Sequence, residues 1–227
     1  MQTYQIHLIR HAITKGNLEG RYIGHTDEEL CPEGIEQLNS ILEEFGSYPA
    51  VDAVFSSPLK RCLQTAKIIY PQKEAIVIDD LIEYNFGEFE GKTAQELKDD
   101  EDFAVWLRGE DPHKAPPFGD KQADFIKRIC SCFEKIVDAV ISSKVKSTAI
   151  ITHGGIIMAL MAAYALPQAQ MHEWMTDSCC GYTIRIDPSI WMRGMKVEAV
   201  SRCPAYPLTD EEEKQLWDYY EDPNEDI

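Results

Sequence analysis

Short apolar runs that end in charged or turn residues alternate along the chain with amphipathic stretches of helical period. Tyr4 to Ile9 is apolar-rich and stops at Arg10 and His11, which predicts a buried strand. Pro32 stands where the first turn of a helix accepts it, and Ile35, Leu38, Ile41, Leu42 and Phe45 follow at helical spacing before Gly46 and Pro49 end the helix. Val51 to Phe55 predicts a second strand. The Ser56-Ser57-Pro58 turn then opens a helix through Leu59, Cys62, Ala66 and Ile69, and Ala75 to Ile78 forms a third strand.

Leu81 to Lys92 has no clean period and carries two glycines among its aromatics, so it reads as a loop. A polar helix is expected over Thr93 to Arg108. Pro112, Pro116 and Pro117 then break the chain before a long helix from about Lys121 to Ser143, which makes residues 92–120 a cap-like insertion. Thr148 to Thr152 predicts a fourth strand, Gly154-Gly155 opens a helix through Ala163, and Tyr182 to Ile186 and Lys196 to Val200 predict the last two. The alternation predicts an α/β fold of three layers, α/β/α, around a mostly parallel sheet of about six strands. One domain is expected over residues 1–205, followed by an acidic, solvated tail over 206–227.

Composition narrows the partners. With 39 acidic and 22 basic side chains the net charge is −17, which repels a nucleic-acid backbone, so any anionic ligand needs a local cluster of cations. Seven cysteines is an odd number, and Cys130/Cys132 and Cys179/Cys180 are too closely spaced for a secreted disulfide framework. The N-terminus lacks the basic start and apolar stretch of a signal peptide, and Thr152, His153 and a Gly pair interrupt the apolar segment Ala149 to Leu166. These features predict a cytoplasmic chain with no membrane partner. No ligand spacing suits a metal, and neither a metal nor another cofactor is expected.

The cation cluster has candidates. His11 and His153 each follow an apolar strand, so both emerge at the carboxyl edge of the sheet, where ligands bind in such folds. Arg10 adjoins the first histidine and Arg61 follows the second strand, and planar guanidinium groups clamp phosphate oxygens. Backbone amides at Gly154-Gly155 would add donors at a helix start.

Five segments carry a resemblance to the histidine phosphatase superfamily, the phosphoglycerate mutase-like fold: Leu8-Ile9-Arg10-His11-Ala12, Thr14 to Asn17, Ser56 to Thr65, Glu83 to Gly91, and Thr152-His153-Gly154-Gly155. The match runs from the first strand to about Ser201. The resemblance implies that His11 attacks phosphorus, that Arg10, Arg61 and His153 bind the equatorial oxygens, and that Glu83 protonates the departing alkoxide. Asn17, Gly24 and Gly154 are expected as substrate contacts, and Glu88 and Glu90 are rival acids. Neutral imidazole is a competent nucleophile, and fixed cations stabilise the spread charge of a phosphoryl transition state. Cations should keep His11 neutral, and an anionic substrate should favour protonated Glu83.

Three positions depart from the family pattern. Ala12 replaces a glycine, Asp120 stands where Gly-Glu-Ser is common, and Cys31 replaces a Ser or Thr cap at a cost of about 1 kcal/mol. A left-handed backbone at Ala12 would be strained by roughly 1 kcal/mol or more.

The expected activity is metal-independent hydrolysis of small phosphate monoesters through a phosphohistidine. The alternatives are a phosphoglycerate mutase and a non-catalytic phosphate-binding module; a redox protein built on the cysteines fits less well. Asp99, Asp100, Glu101, Asp102, Glu110 and Asp111 would repel a second anionic group and so weaken the mutase reading. Phe86 to Thr93 and the short insertion look most like the α-ribazole phosphatase branch and its broad-specificity relatives, which makes α-ribazole 5'-phosphate the candidate substrate. Tyr84, Phe86, Phe89, Trp106 and Phe118 are candidates for an apolar wall around an aromatic leaving group. A homo-oligomer is left open.

Overall fold

Strand β1 (Tyr4–Arg10) runs through the middle of the molecule because almost every residue in it is apolar or satisfied internally, so it can be covered on both faces. The computed structural model describes residues 2–205 apart from Glu110 and Pro112; those two positions and the expected tail over 206–227 lie outside the described residues. In chain order β1 is followed by α1 (Lys15–Leu18), α2 (Pro32–Phe45), β2 (Ala53–Ser56), α3 (Lys60–Ile69), β3 (Ile76–Val77), α4 (Glu101–Arg108) and α5 (Gln122–Ser143). Then come β4 (Ser147–Thr152), α6 (Gly154–Tyr164), β5 (Ala165–Leu166), β6 (Gly181–Ile186), α7 (Pro188–Gly194) and β7 (Val197–Cys203).

The sheet has the order β3-β2-β4-β1-β6-β7-β5. Strands β3, β2, β4 and β1 are parallel, and β6 runs antiparallel to both of its neighbours. Alternate side chains take opposite faces. Ile6, Leu8 and Ile150 pack against Ile129, Phe133 and Val137 of α5 and Ile157 and Leu160 of α6. Ile9, Val54, Ala149 and Ile151 face the other way, onto Leu38 of α2 and Cys62 and Ala66 of α3. Each fully buried Ile or Leu contributes roughly 1.5–3 kcal/mol, and the two clusters together make the three layers.

Among the described residues the sheet has seven strands, one more than expected. Strand β5 is two residues long and follows α6 without a break, so its apolar pattern merges with that of the helix. The polar helix expected over 93–108 is helical only from Glu101, where Asp100 caps α4 by accepting the Phe103 N–H at 3.0 Å. Helix α7 was not anticipated, although Asp187 at its N-cap and Pro188 in its first turn mark it. Cys31 does cap α2: its Sγ accepts the Gly34 N–H at 3.4 Å, the long bond of a weak acceptor. Parallel neighbours end at the same edge, so the residues after β1, β2 and β4 come together, with Arg10 opposite Thr152 and Ser56 opposite Ile151.

Candidate active site

The backbone at the sheet edge fixes the two histidines. The His11 N–H donates to the Thr152 carbonyl at 2.9 Å, and the imidazoles of His11 and His153 meet edge to face with centroids 5.2 Å apart. His11 Nδ1 lies 2.7 Å from the Ala12 carbonyl, which can only accept, and the Arg61 Nε–H donates to His11 Nε2 at 3.2 Å. The proton therefore sits on Nδ1 and the lone pair on Nε2. By the same reasoning His153 Nδ1 accepts from Arg61 Nη2 at 3.3 Å, and its Nε2–H donates to Ser57 Oγ at 2.7 Å. Both imidazoles are held well below the ordinary imidazole pKa, first by burial and then by Arg61. The expected direction for His11 is thus met, with burial rather than the cations as the leading cause.

Arg61 is fully buried on the first turn of α3, and its Nη1 and Nη2 also donate to the carbonyls of Thr26 (2.8 Å) and Gly24 (2.7 Å). Arg10 donates from Nη1 to the Thr176 carbonyl at 2.8 Å, while its buried Nε and the buried Thr176 hydroxyl have no partner among the described residues. Unsatisfied buried donors at a pocket wall call for a ligand. Ala12 is not in the left-handed region: its N–H donates to Thr65 Oγ1 at 2.9 Å, so the exchange for glycine carries no backbone strain.

Glu83 approaches from the loop after the short helical turn Asp79–Leu81. Its Oε1 accepts the Tyr84 N–H at 2.9 Å and its Oε2 the Gly155 N–H at 3.0 Å. Burial raises its pKa, against the opposing pull of those two amides, Arg61 and Arg10. The Glu83 carbonyl is held by Arg128 Nη2 at 3.2 Å and His25 Nε2 at 3.1 Å. Asp120 accepts from Asn85 N–H (3.1 Å) and Arg128 Nη2 (3.5 Å), and the Tyr84 hydroxyl donates to its carbonyl. The unusual residue at position 120 therefore braces the loop that carries Glu83. Glu90 accepts donors from the distant 24–26 loop and from Phe86; burial pushes its pKa up, but these hydrogen bonds together outweigh it and hold the pKa low, which makes Glu90 unsuited to proton donation.

Two chambers meet at Glu83. One of about 280 Å³ is lined by Arg10, His11, Asn17, Glu83, Gly154 and Thr176, with Arg21 and Met175 at its wall. The other, of about 370 Å³, is lined by Tyr84, Trp106, Leu107, Phe125 and Ile126. Tyr22, Phe86, Gly155 and Met158 belong to both. Of the aromatics expected at the wall, Tyr84, Phe86 and Trp106 line the second chamber. Phe89 is buried behind it, and Phe118 is 87% exposed and lines neither chamber. Among the described residues of the acidic run, Asp100 caps α4 and Asp102 pairs with Lys114, and none lines a chamber, so their repulsion is not a contact effect.

Of the expected substrate contacts, Gly154 lines the first chamber. Asn17 does too, with its Oδ1 committed to the Thr14 N–H at 3.1 Å. Gly24 stands behind the chamber: its N–H is taken by Glu90 and its carbonyl by Arg61. A Cβ there would come within 1.9 Å of the Tyr84 carbonyl, so glycine is required by close packing. Thr176 and Arg128 were not anticipated as site residues, since nothing in their local pattern sets them apart from loop or surface positions, and Glu90 was expected only as a rival acid. No helix among the described residues is long and apolar enough to cross a membrane, and no three His, Cys, Asp or Glu side chains among them converge as metal ligands do.

Known proteins resemble this chain in sequence and in fold. A broad-specificity phosphatase of Saccharomyces cerevisiae is 30% identical over 177 residues, covering 74% of each chain. The adenosylcobalamin/α-ribazole phosphatase of Escherichia coli is 26% identical over 185 residues, or 79% of this chain and 89% of that one. The crystal structure of a phosphoserine phosphatase from Entamoeba histolytica in complex with 3-phosphoglyceric acid superposes with a TM-score of 0.70 at 28% identity, covering 88% and 96% of the two chains. The sequence matches the histidine phosphatase superfamily (branch 1) over residues 6–193, and with a sheet edge built from that family's segments, this chain belongs to that superfamily and is a phosphatase.

Proposed function

We propose that the protein hydrolyses small phosphate monoesters with an apolar body through a phosphohistidine on His11. The observation that carries this reading is the placement of the His11 imidazole, its Nδ1 protonated and its Nε2 unprotonated, in one chamber with Arg10 and Glu83. Nε2 attacks phosphorus as the bond to the leaving oxygen breaks, and Glu83 gives that oxygen its proton. Water then attacks the phosphohistidine, returning its proton to Glu83 and freeing phosphate and His11. Arg61, released from Nε2 as it attacks, and Arg10 hold the equatorial oxygens, with His153 beside them. No step calls for a metal.

The apolar chamber beyond Glu83 supports a leaving group with an uncharged, flat body. Its Trp106 Nε1 already donates to the Tyr84 hydroxyl at 3.1 Å, leaving aromatic faces to meet the ligand. Arg21, the cation at the wall of the first chamber, pairs with Glu19 at 2.6 Å and Glu96 at 3.0 Å, so it offers less charge to a second anionic group, which disfavours mutase chemistry. The relative named for α-ribazole makes α-ribazole 5'-phosphate the first ester to try.

The test is hydrolysis of naphthyl phosphate in excess chelator by wild type and His11→Ala, with enzyme quenched in alkaline denaturant to preserve a phosphoramidate. Turnover and labelled protein in wild type, both absent in His11→Ala, are expected. Turnover that survives in His11→Ala, or that chelator abolishes, would overturn the mechanism. Efficiencies for naphthyl and α-ribazole phosphates should exceed those for phosphoserine and 3-phosphoglycerate by at least about tenfold; a flat profile would remove the apolar-body claim.

A further inference from the structure

Glu90 lies outside both chambers, yet it is tied to the nucleophile through one run of peptide groups. Its carboxylate accepts the N–H groups of Gly24 (3.1 Å to each oxygen), His25 (2.9 Å) and Thr26 (3.1 Å), and the Thr26 hydroxyl at 2.6 Å. It also accepts the Phe86 N–H at 3.1 Å, so it joins the 24–26 loop to the loop that carries Glu83. The carbonyls of the same short run point the other way. Those of Gly24 and Thr26 accept Arg61 Nη2 and Nη1 at 2.7 and 2.8 Å, and Arg61 in turn donates from Nε to His11 Nε2 at 3.2 Å and lies 3.3 Å from His153 Nδ1.

The charges order this arrangement. A carboxylate on the amide side and a guanidinium on the carbonyl side polarise the peptides between them in one sense, so each strengthens the other's hydrogen bonds. The loop has no slack, because Gly24 already presses against the Tyr84 carbonyl. Moving Glu90 must therefore move the carbonyls that aim Arg61.

We infer that Glu90 is a positioning residue for phosphoryl transfer, acting through the 24–26 peptides to aim the Arg61 guanidinium at His11 and His153. This rests on the phosphohistidine reading above. A carboxylate that merely fastened two loops would affect stability alone, whereas one that aims Arg61 must affect the nucleophile. The charged and titratable groups facing His11 are Arg61 on α3, Arg10 at the end of β1, His153 at the start of α6 and, beyond Arg10, Glu83. Of these, Arg61 is the one that Glu90 holds.

The experiment is a double-mutant cycle on naphthyl phosphate, with melting temperatures and full pH profiles. Glu90→Gln puts an amide donor against N–H groups and should lower kcat/KM ten- to a hundredfold, mainly in kcat. In an Arg61→Lys background the same change should cost less than about twofold, since the aim is already lost. The acid limb of kcat/KM should move to higher pH in Glu90→Gln, because Arg61 no longer suppresses protonation of His11. Losses that multiply independently in the two backgrounds, or an unmoved acid limb with a lower plateau, would overturn the inference. If Glu90→Gln does not fold, Thr26→Val removes the single hydroxyl bond to Glu90 and should show the same coupling at smaller size; full activity with an unmoved acid limb there would also overturn it. Trapped phosphate on wild-type His11 together with a failed cycle would leave the mechanism standing and remove only the role of Glu90.

Discussion

Gly155 offers the sharpest probe of Glu83, because any side chain there would run into the carboxyl group. A Cβ at position 155 would stand 2.8 Å from Glu83 Oε1, 3.1 Å from Oε2 and 3.2 Å from Cδ. Ordinary contact begins at 3.4 Å, so in Gly155→Ala the carboxyl group must retreat by about half an ångström. The retreat also stretches the bond from the Gly155 N–H to Oε2, now 3.0 Å. Helix α6 should not suffer, since alanine is favoured over glycine by up to about 1 kcal/mol in a helix. Misplacing a reacting group by about 1 Å can cost about a hundredfold, so a smaller shift predicts a ten- to hundredfold loss in kcat, about 1.4–2.7 kcal/mol, for an alkyl phosphate. A nitrophenyl ester, whose leaving oxygen needs little protonation, should lose less than about threefold. Steady-state kinetics on both esters, with melting curves, decide it. Equal losses on the two esters would show that Glu83 is not the proton donor, and an unchanged alkyl rate would show that its position does not matter. Gly154→Ala is the control: its Cβ would sit 3.3 Å from Arg10 Nε, so it should raise KM without dependence on the leaving group.

Two further expectations follow from the buried titrating groups. Activity needs neutral His11 and protonated Glu83; the first is lost as pH falls through a value held below 6.5, the second as pH rises through a value held above 4.5. The kcat/KM profile should therefore be a bell with its acid limb below 6.5 and its alkaline limb above 4.5, and Glu83→Gln should erase the alkaline limb; an alkaline limb that persists would assign it elsewhere. His7, buried between Thr183 and Ser147, is pushed by burial from 6.5 to about 4. Its contribution to stability is complete above pH 6.5 and declines as pH falls from 6.5 towards 4, because the unfolded chain takes up a proton that the folded one refuses, costing about 2 kcal/mol by pH 5. Urea titrations at pH 7.5 and 5 should show a smaller drop for His7→Asn than for wild type, and an equal drop would discount the effect.

What could be read in the sequence depended on whether the determinant was local. The ends of β1 and β4 announce themselves by apolar runs that stop at Arg10-His11 and at His153-Gly154, and parallel pairing at neighbouring positions then brings the histidines together without further information. Strand β5 has no such signal, since Ala165 and Leu166 continue the apolar run of α6 and are a strand only because β7 lies beside them. The same holds for Gly24. In sequence it is one more glycine before a helix, and its meaning comes from Tyr84, Glu90 and Arg61, which approach it from three other segments. Thr176 and Arg128 are of this kind, loop and helix residues whose partners lie far away along the chain. The aromatic wall was half legible: Tyr84 and Phe86 differ from Phe89 and Phe118 only in which way a short irregular turn faces them.

How an acidic protein keeps a phosphate site is answered by what holds the arginines. Arg10 is held by the carbonyl of Thr176 and Arg61 by those of Gly24 and Thr26, with no carboxylate in ion-pair contact with either among the described residues. Arg21, Arg128 and Arg185, outside the pocket floor, are each paired with an acid. Carbonyls orient a guanidinium without neutralising it, Glu83 and Asp177 offset the Arg10 charge only from a distance, and burial limits screening by water, so a bound dianion should be stabilising. Inorganic phosphate, the reaction product, should therefore bind the folded state and raise the melting temperature, by up to about 2.7 kcal/mol of stability at a hundredfold excess over its Kd. Equal ionic strength of chloride should do little. In Arg10→Met the phosphate effect should fall, while stability without phosphate should hold or rise, because a buried charge has been replaced by an apolar chain of similar length. A variant that is destabilised without phosphate and still responds to it fully would mean that the carbonyls had already satisfied Arg10 and that the free energy of its burial is not reserved for the ligand.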